Sequence, residues 1–573
     1  MAEIITPTNN DLLITLEQSQ TNSVDTIVLI TGALEAGEIN SIFNYLKESI
    51  RVLKKGGLLF VQGLPYNLPE IGVYLDKFLT FKYWIAIKSA LYQPTAGLPS
   101  SHAAILLFTK DGDRFNINRV RFPHEHCGYC KKPLKDWGGK THLMHPEGYA
   151  ISDVWTSLPI EDNYHRISRS VLRTILKMVG ADNPALYDND LFTNEHNPLE
   201  APKKLIIGPK EGIDRENRKL ISEPLVQYQL PGFRVTPQNS VPVKSKIKSF
   251  WDVVHHGDAL ELLKQYPDNS IDLVFADPPY NLEKSYNVYN DERGKESYLA
   301  WCNEWLKEYC RILKPTGSLF VLNLPHWSMY HAVFLNQYLY FQNWIVWDAL
   351  SEPRGKLMPA HYGLLFYTKN PTGFNFSYDE LKDIDSRQYC LRASCVRARK
   401  TAGIDPKESL TDIWSDIHRI KHRRDRDYHP CQLPDLLLER IIKLTTREGD
   451  IVLDALAGTG TTAVVASQLG RRYVAIDIDD GYVQIMREKI SQVRNIGHVK
   501  RTSIHRPKGK YSKKALQIEL QRIALELGRV PSKKDVEKMS SFGVEAYIET
   551  FPTWGKALKA AKLELRDSAN GRS

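Results

Sequence analysis

Residues 450–469 read DIVLDALAGTGTTAVVASQL. A short β-rich run stops at Asp454, a glycine turn follows, and from Thr461 small and apolar residues continue with helical character. Such a strand–turn–helix unit belongs to the ligand crevice of a doubly wound α/β sheet. Gly458 and Gly460 let the backbone approach a ligand closely, and the start of the helix presents N–H groups with no intrahelical partner. Asp477 ends the next run, YVAID, 17 residues after Gly460, a distance that suits a ribose diol. Alone, the unit is ambiguous. Gly458-Thr459-Gly460-Thr461-Thr462-Ala463 also satisfies the loose dinucleotide-binding pattern, and a purely structural tight turn reads the same way.

The segments upstream narrow the reading. LVFADPPYNL (residues 273–282) is a buried-type strand that stops abruptly at Asp277. Pro278 and Pro279 fix the backbone and remove two N–H donors, so the loop offers acceptors. An exocyclic amine on a nucleobase is a poor nucleophile because its lone pair is delocalised into the ring. The Asp277 carboxylate and the Pro278 carbonyl can each accept one N–H of such an amine and aim its lone pair at a methyl sulfonium. Tyr280 can stack on a base that has left the duplex. A rigid turn, with Asp277 as a cap and Tyr280 packed away, fits an isolated DPPY equally well. Asp258 closes a short strand before this one, placed to accept from the adenine of a methyl donor. Asp427-Tyr428-His429-Pro430-Cys431-Gln432-Leu433-Pro434 leads into the helix before the glycine turn, with His429 either a cofactor contact or an ordinary helix-start residue.

The flanking strands and helices alternate (IDLVFA, GSLFVL, NWIVW, GLLFYT, DIVLDA, RYVAID), which predicts a mostly parallel sheet covered on both faces. The pattern also recurs. Residues 51–65, RVLKKGGLLFVQGLP, match 311–325, RILKPTGSLFVLNLP, at 9 of 15 positions. The correspondence continues through Trp84 and Trp344, His102 and His361, Asp153-Val154-Trp155 and Asp412-Ile413-Trp414, and Tyr164-His165 and Tyr428-His429. Two related α/β halves are therefore expected. The expected division is an N-terminal half at 1–180, a linker at 181–245 rich in Pro, Asn and Lys, a catalytic half at 246–498, and a helical basic module at 510–565.

Composition is that of a soluble globular chain, 42% hydrophobic and 25% charged over 573 residues. No run of about 18 apolar residues appears, and the N-terminus lacks the basic and apolar regions of a secretory signal. Seven cysteines do not make a disulfide framework, so a reducing cytoplasm is the expected location. The net charge of +9 permits a polyanionic partner. Residues 421–426 and 500–514 are locally basic, as a phosphate-tracking surface would be.

DPPY, the glycine turn, Asp258 and the YHPCQLP stretch, in this order over residues 250–495, resemble the beta group of DNA amino-methyltransferases. The resemblance implies a Rossmann-like, S-adenosylmethionine-dependent methyltransferase fold, here duplicated, with base flipping of adenine (N6) or cytosine (N4) in double-stranded DNA. In that family an acidic first loop residue favours adenine. It implies Asp277, Pro278, Pro279 and Tyr280 as catalytic residues. The implied cofactor contacts are Asp258, Asp277, His429, Asp454, Leu456, Ala457, Gly458, Thr459, Gly460, Thr461, Thr462 and Asp477. Where the family usually reads DPFAGSGTT this chain has Leu456 in place of the aromatic, and Leu433 stands where lysine or phenylalanine is usual. The N-terminal half resembles the same family but has Ile30-Thr31-Gly32-Ala33 opposite the loop and no glycine turn, so it reads as a catalytically dead copy. A cognate restriction endonuclease is a partner the family allows. Sequence readers are expected between 370 and 430. An RNA amino-methyltransferase and a non-catalytic DNA-binding protein are the alternatives.

The tail resembles the helical repeats associated with homing endonucleases, through Leu527-Gly528-Arg529-Val530-Pro531, Tyr547, Phe551, Trp554 and Leu558. That implies an all-α DNA-binding module with its aromatics in the core. Cys127-x-x-Cys130, with His142 and His145 downstream, is chemically able to hold zinc, but reduced structural cysteines are the reading adopted, and no metal is expected.

Overall fold

The repeat folds twice into one architecture. The structure, a computed structural model, describes residues 3–33, 39–94, 96–112, 116–134, 144–158, 166–181, 204–210, 250–281, 294–349, 356–390, 392–404, 406–419, 432–499, 513–527, 529–540, 542, 544–551, 553–561 and 563. The first half comprises β1 (Glu3–Ile5), α1 (Asn9–Gln18), β2 (Val24–Ile30), α2 (Ile39–Val52), β3 (Leu53–Gly63), α3 (Leu68–Leu75), β4 (Thr80–Tyr92), β5 (Ser100–Thr109), β6 (Arg121–Phe122), β7 (Tyr149–Ala150), β8 (Val154–Trp155), α4 (Arg169–Val179) and β9 (Lys204–Gly208). The second comprises β10 (Val253–His256), α5 (Ala259–Leu263), β11 (Ile271–Ala276), α6 (Lys295–Ile312), β12 (Leu313–Asn323), α7 (Pro325–Leu335), β13 (Tyr340–Asp348) and β14 (His361–Thr368). It continues through β15 (Asp383–Asp385), α8 (Ala393–Thr401), β16 (Lys407–Ser409), β17 (Ile413–Trp414), α9 (Asp435–Thr445), β18 (Ile451–Asp454), α10 (Thr461–Gln468), β19 (Arg472–Asp477) and α11 (Asp480–Ile496).

The two main sheets run β1-β9-β2-β3-β5-β4-β8 and β10-β19-β18-β11-β12-β14-β13-β17. Each is parallel except where β5 or β14 runs against its neighbours. All six residues of β11 are buried, as expected of a parallel strand covered by helices on both faces. The repeat extends to tertiary bonds. Lys54 pairs with Asp25 at 3.0 Å and Lys314 with Asp272 at 2.7 Å. The ammonium groups of Lys110 and Lys369 donate to carbonyls where α2 and α6 end, Leu53 at 2.8 Å and Leu313 at 2.8 Å among them.

One boundary needs correction. Lys204–Gly208, inside the stretch expected to be linker, is strand β9, inserted between β1 and β2. Leu205, Ile206 and Ile207 are buried, and this run of three apolar residues is short enough to be lost among polar neighbours in the sequence. The N-terminal half therefore extends past 180 to at least Gly208.

The halves meet as two copies of one protein would, through the same face. Trp84 and Trp344, equivalent in the repeat, stack on each other with centroids 3.8 Å apart. Asp412 accepts from the Ser101 N–H at 2.8 Å, and its counterpart Asp153 accepts from the Ala360 N–H at 2.8 Å. His102 Nδ1 lies 2.9 Å from Asp412, and His361 Nδ1 lies 3.0 Å from Asp153. Residue i meeting j while j meets i is the signature of a two-fold, isologous contact. The N-terminal copy thus packs on the second half as a second subunit would.

The chain divides into two compact units, Met1–Val499 and Lys500–Ser573. The second contains α12 (Lys513–Leu527), α13 (Lys533–Met539), α14 (Val544–Thr550) and α15 (Trp554–Ala560). Its core holds Tyr547, Phe551 and Leu558 with Trp554 packed against them, so the aromatics are structural, as expected. Ser532 and Asp535 form a capping box at α13, which satisfies two N–H groups that the helix cannot.

Candidate active site

Four neighbouring strands, β10, β19, β18 and β11, run parallel, so their carboxyl ends open on one side of the sheet. Asp454 and Asp477 are the last residues of β18 and β19, Asp277 follows β11 directly, and Asp258 lies two residues beyond β10. Four aspartates separated by up to 219 residues of sequence are thereby set side by side. All four line one cavity of about 340 Å³, a volume suited to a small-molecule ligand. Pro278, Pro279, Tyr280, Leu456, Ala457, Gly458, Thr459, Thr461 and Thr462 line it too, with Trp301, Trp305 and Tyr482 among the residues that sequence reasoning did not single out.

Each aspartate is held differently. Asp258 caps α5, its Oδ1 accepting from Glu261 N at 3.0 Å, which leaves it at the rim just beyond the strand rather than within it. The Asp477 carboxylate accepts from Gly458 N at 2.7 Å and Asp479 N at 2.8 Å, tying the glycine turn to the adjacent strand end. Burial pushes its carboxyl up to about 6, against the lowering effect of those N–H donors. Asp454 is buried and accepts from Thr462 Oγ1 at 2.6 Å and Leu456 N at 3.1 Å. Desolvation raises its carboxyl to about 7, helped by the nearby Asp477 charge. Asp454 is thus a strut for the turn as well as a lining residue.

The two turn glycines have separate roles. Gly458 has φ +51 and lines the cavity. Gly460 has φ +76 as the residue before α10 and does not line it. A side chain there would run into Met486, so Gly460 is required by packing and a left-handed backbone rather than by close approach of a ligand. His429 lies outside the described residues.

The DPPY loop is braced from behind by residues that carried no sequence signal. Tyr298 Oη, from α6, donates to the Pro279 carbonyl at 2.8 Å, and Trp327 Nε1, from α7, donates to the Tyr280 carbonyl at 3.0 Å. Asn323, at the end of β12, donates to Tyr298 Oη and meets His331 Nε2, each at 3.0 Å. Burial lowers His331 to about 3, so its ring is neutral and can accept. Among the described residues nothing donates to the Pro278 carbonyl, while its two successors are engaged. The Tyr280 ring is buried against Tyr362, with centroids 5.4 Å apart, and its hydroxyl donates to Asp277 Oδ1 at 2.7 Å. In this state Tyr280 is a wall of the cavity and an anchor for Asp277, not an open stacking platform.

A family model described as DNA methylase matches residues 35–209 and 271–488, a stretch in each half. A second, described as homing endonuclease associated repeat, matches 511–564. Type II methyltransferase M.BamHI of Bacillus amyloliquefaciens is 39% identical over 241 residues, covering 41% of this chain and 56% of that protein. Type II methyltransferase M.HpaI of Haemophilus parainfluenzae is 34% identical over 42% of this chain and 74% of its own length. DNA adenine methyltransferase YhdJ of Escherichia coli is 31% identical over 40% of this chain and 79% of its own length.

Proposed function

Because this chain belongs to the DNA methylase family of the N6/N4 type, we propose that it methylates an exocyclic base amine in double-stranded DNA, N6 of adenine rather than N4 of cytosine. The observation that carries this is the ring of four aspartates at adjacent strand ends, opening on one cavity beside a rigid acceptor loop. S-adenosylmethionine fits the chemistry of that cavity and, when bound, supplies an electrophilic methyl group. Asp477 and Asp258 would take its hydroxyl and amine hydrogens, and Leu456, Ala457, Gly458, Thr459, Thr461 and Thr462 would line its other side, with His429 a further proposed contact.

The target base leaves the stack to reach the loop. Asp277 accepts one hydrogen of its amine and the Pro278 carbonyl accepts the other, which concentrates electron density on the nitrogen. Pro278 and Pro279 keep both acceptors fixed, so little reorganisation accompanies transfer. Tyr280 holds Asp277 in register through its hydroxyl. The acidic first residue and the adenine-methylating relative favour N6. The helical repeat at 511–564 supports DNA as the polymer. Relatives named type II methyltransferases favour a cognate restriction endonuclease as the functional partner. Among the described residues no helix is long and apolar enough to cross a membrane, and we place the enzyme with its DNA in the cytoplasm.

Genomic DNA incubated with the full chain and donor labelled in the methyl group is expected to yield N6-methyladenine on digestion and mass analysis. N4-methylcytosine would overturn the base assignment, and label in RNA alone would overturn the polymer. DNA binding with neither methyl incorporation nor donor cross-linking would leave a DNA-binding protein without catalysis.

A pH dependence follows from Asp477. Only its ionised form accepts hydroxyl hydrogens on both oxygens, and burial raises its carboxyl to about 6. Donor affinity measured by calorimetry is therefore expected to be flat above that pH and to weaken about tenfold per unit below it, the slope for one linked proton. Asp477→Asn should bind more weakly and lose this dependence; an unchanged slope in the variant would remove Asp477 from the donor site. Stability of the free chain carries the opposite sign. A carboxyl that ionises near 3.9 when unfolded but near 6 when folded contributes fully at acid pH, and that contribution is lost as pH rises through 6.

A further inference from the structure

Cys127 and Cys130 lie in a turn after β6 of the N-terminal half, and Cys390 and Cys395 lie between β15 and the first turn of α8 in the catalytic half. The fold brings these two pairs together. Cys127 Sγ is 3.8 Å from Cys395 Sγ, Cys130 Sγ is 3.6 Å from Cys390 Sγ, and all four sulfurs lie within 4.8 Å of one another. A disulfide requires about 2.05 Å, and all four cysteines are free. A tetrahedral zinc with Zn–S bonds of about 2.3 Å places its thiolates about 3.8 Å apart along every edge. The two short sulfur–sulfur distances have that length.

The surroundings suit thiolates rather than four neutral thiols. Cys390 N donates to Cys127 Sγ at 3.3 Å. The Cys127 turn is tight, with Lys131 N bonded back to the Cys127 carbonyl at 3.0 Å and Lys131 at φ +57. Gly128 N reaches across to the Gln388 carbonyl at 2.8 Å, so the two cysteine loops are also joined by backbone. The guanidinium of Arg392 adjoins Cys390, and that of Arg399 adjoins Cys395. Arg399 is buried, and among the described residues no carboxylate pairs with it. A zinc tetrathiolate carries two net negative charges, which two arginines would offset. Beside uncharged thiols, a buried guanidinium without a counter-charge is costly.

We propose that Cys127, Cys130, Cys390 and Cys395 bind one Zn²⁺ as a closed tetrathiolate that clasps the N-terminal half to the catalytic half. Binding releases the four thiol protons and leaves the metal no open position, so the site is structural and takes no part in methyl transfer. Its ligands come two from each copy. His145, the other described candidate, is turned elsewhere: its carbonyl accepts from His124 Nε2 at 2.7 Å and its Nδ1 from Glu147 N at 3.3 Å. His142 lies outside the described residues.

The test uses the full chain purified under reducing conditions without chelator or metal-affinity resin, with metals counted by plasma mass spectrometry. The expected result is about one zinc per chain, released by a thiol-specific mercurial. Cys390→Ser is expected to lose that zinc, while Cys302→Ser, a buried cysteine outside the cluster, is expected to keep it. Should Cys390→Ser fail to fold, wild-type chain refolded with Co²⁺ is expected to show the intense ligand-field bands of a tetrahedral thiolate set. Zinc below about a tenth of an equivalent in folded protein, iron in its place, absence of the cobalt bands, or disulfides between these cysteines would each overturn the proposal. None of these readings depends on methylation activity.

Discussion

Replacing Asp277 by alanine is expected to cut the rate of methyl transfer about a hundred- to a thousandfold while donor affinity changes little. The carboxylate is one of two acceptors proposed to hold the target amine, so its interaction strengthens as positive charge develops on nitrogen. Loss of such a group lowers the rate of the bound complex more than it weakens binding. The variant also deprives the buried Tyr280 hydroxyl of its 2.7 Å acceptor, which costs about 1–3 kcal/mol of local stability. Tyr280→Phe is the control for that part, since it removes the hydroxyl and keeps the carboxylate. Single-turnover transfer to an oligonucleotide, with donor binding measured separately, distinguishes the two. An Asp277→Ala enzyme that turns over normally is incompatible with the mechanism.

The second large effect concerns the contact between halves. Trp344→Ala is expected to destabilise the chain by about 3–5 kcal/mol, read as a fall in the urea midpoint. Trp344 and Trp84 are each about 1% exposed and lie nearly parallel at 3.8 Å, so truncating either empties the centre of the shared face. Trp84→Ala should cost a similar amount. The double variant should cost less than the sum, because residues in contact couple. Additive losses would mean that the stack does not join the halves energetically.

The chemistry of the site was legible because it lies in short continuous runs. DPPY, the glycine turn and Asp477 each sit at the end of an apolar strand, and strand ends are readable from composition. Their adjacency was not, since Asp277 and Asp454 lie at the ends of strands paired across a crossover of more than 170 residues of sequence. The bracing by Tyr298, Asn323 and His331 had no signal at all. A tyrosine in a helix and an asparagine at a strand end acquire meaning only from what packs behind them. The grouping of the cysteines was hidden for a related reason: Cys127 and Cys130 are close in sequence, but only the fold brings Cys390 and Cys395 beside them. Strand β9 was missed because three apolar residues in a polar stretch make too short a pattern.

The reciprocal contact of Asp412 with Ser101 and of Asp153 with Ala360 has a consequence for how this chain can change. Two separate subunits meet only in proportion to their concentration, whereas two lobes on one chain meet at an effective concentration set by their connection. Dilution therefore does not part them. In a symmetric dimer, moreover, every substitution is made twice, and a loop lost from one subunit is lost from both. Here each copy is encoded separately. One could give up its acceptor loop while keeping the face that supports its neighbour, and Ser101 facing Asp412 could diverge from Ala360 facing Asp153.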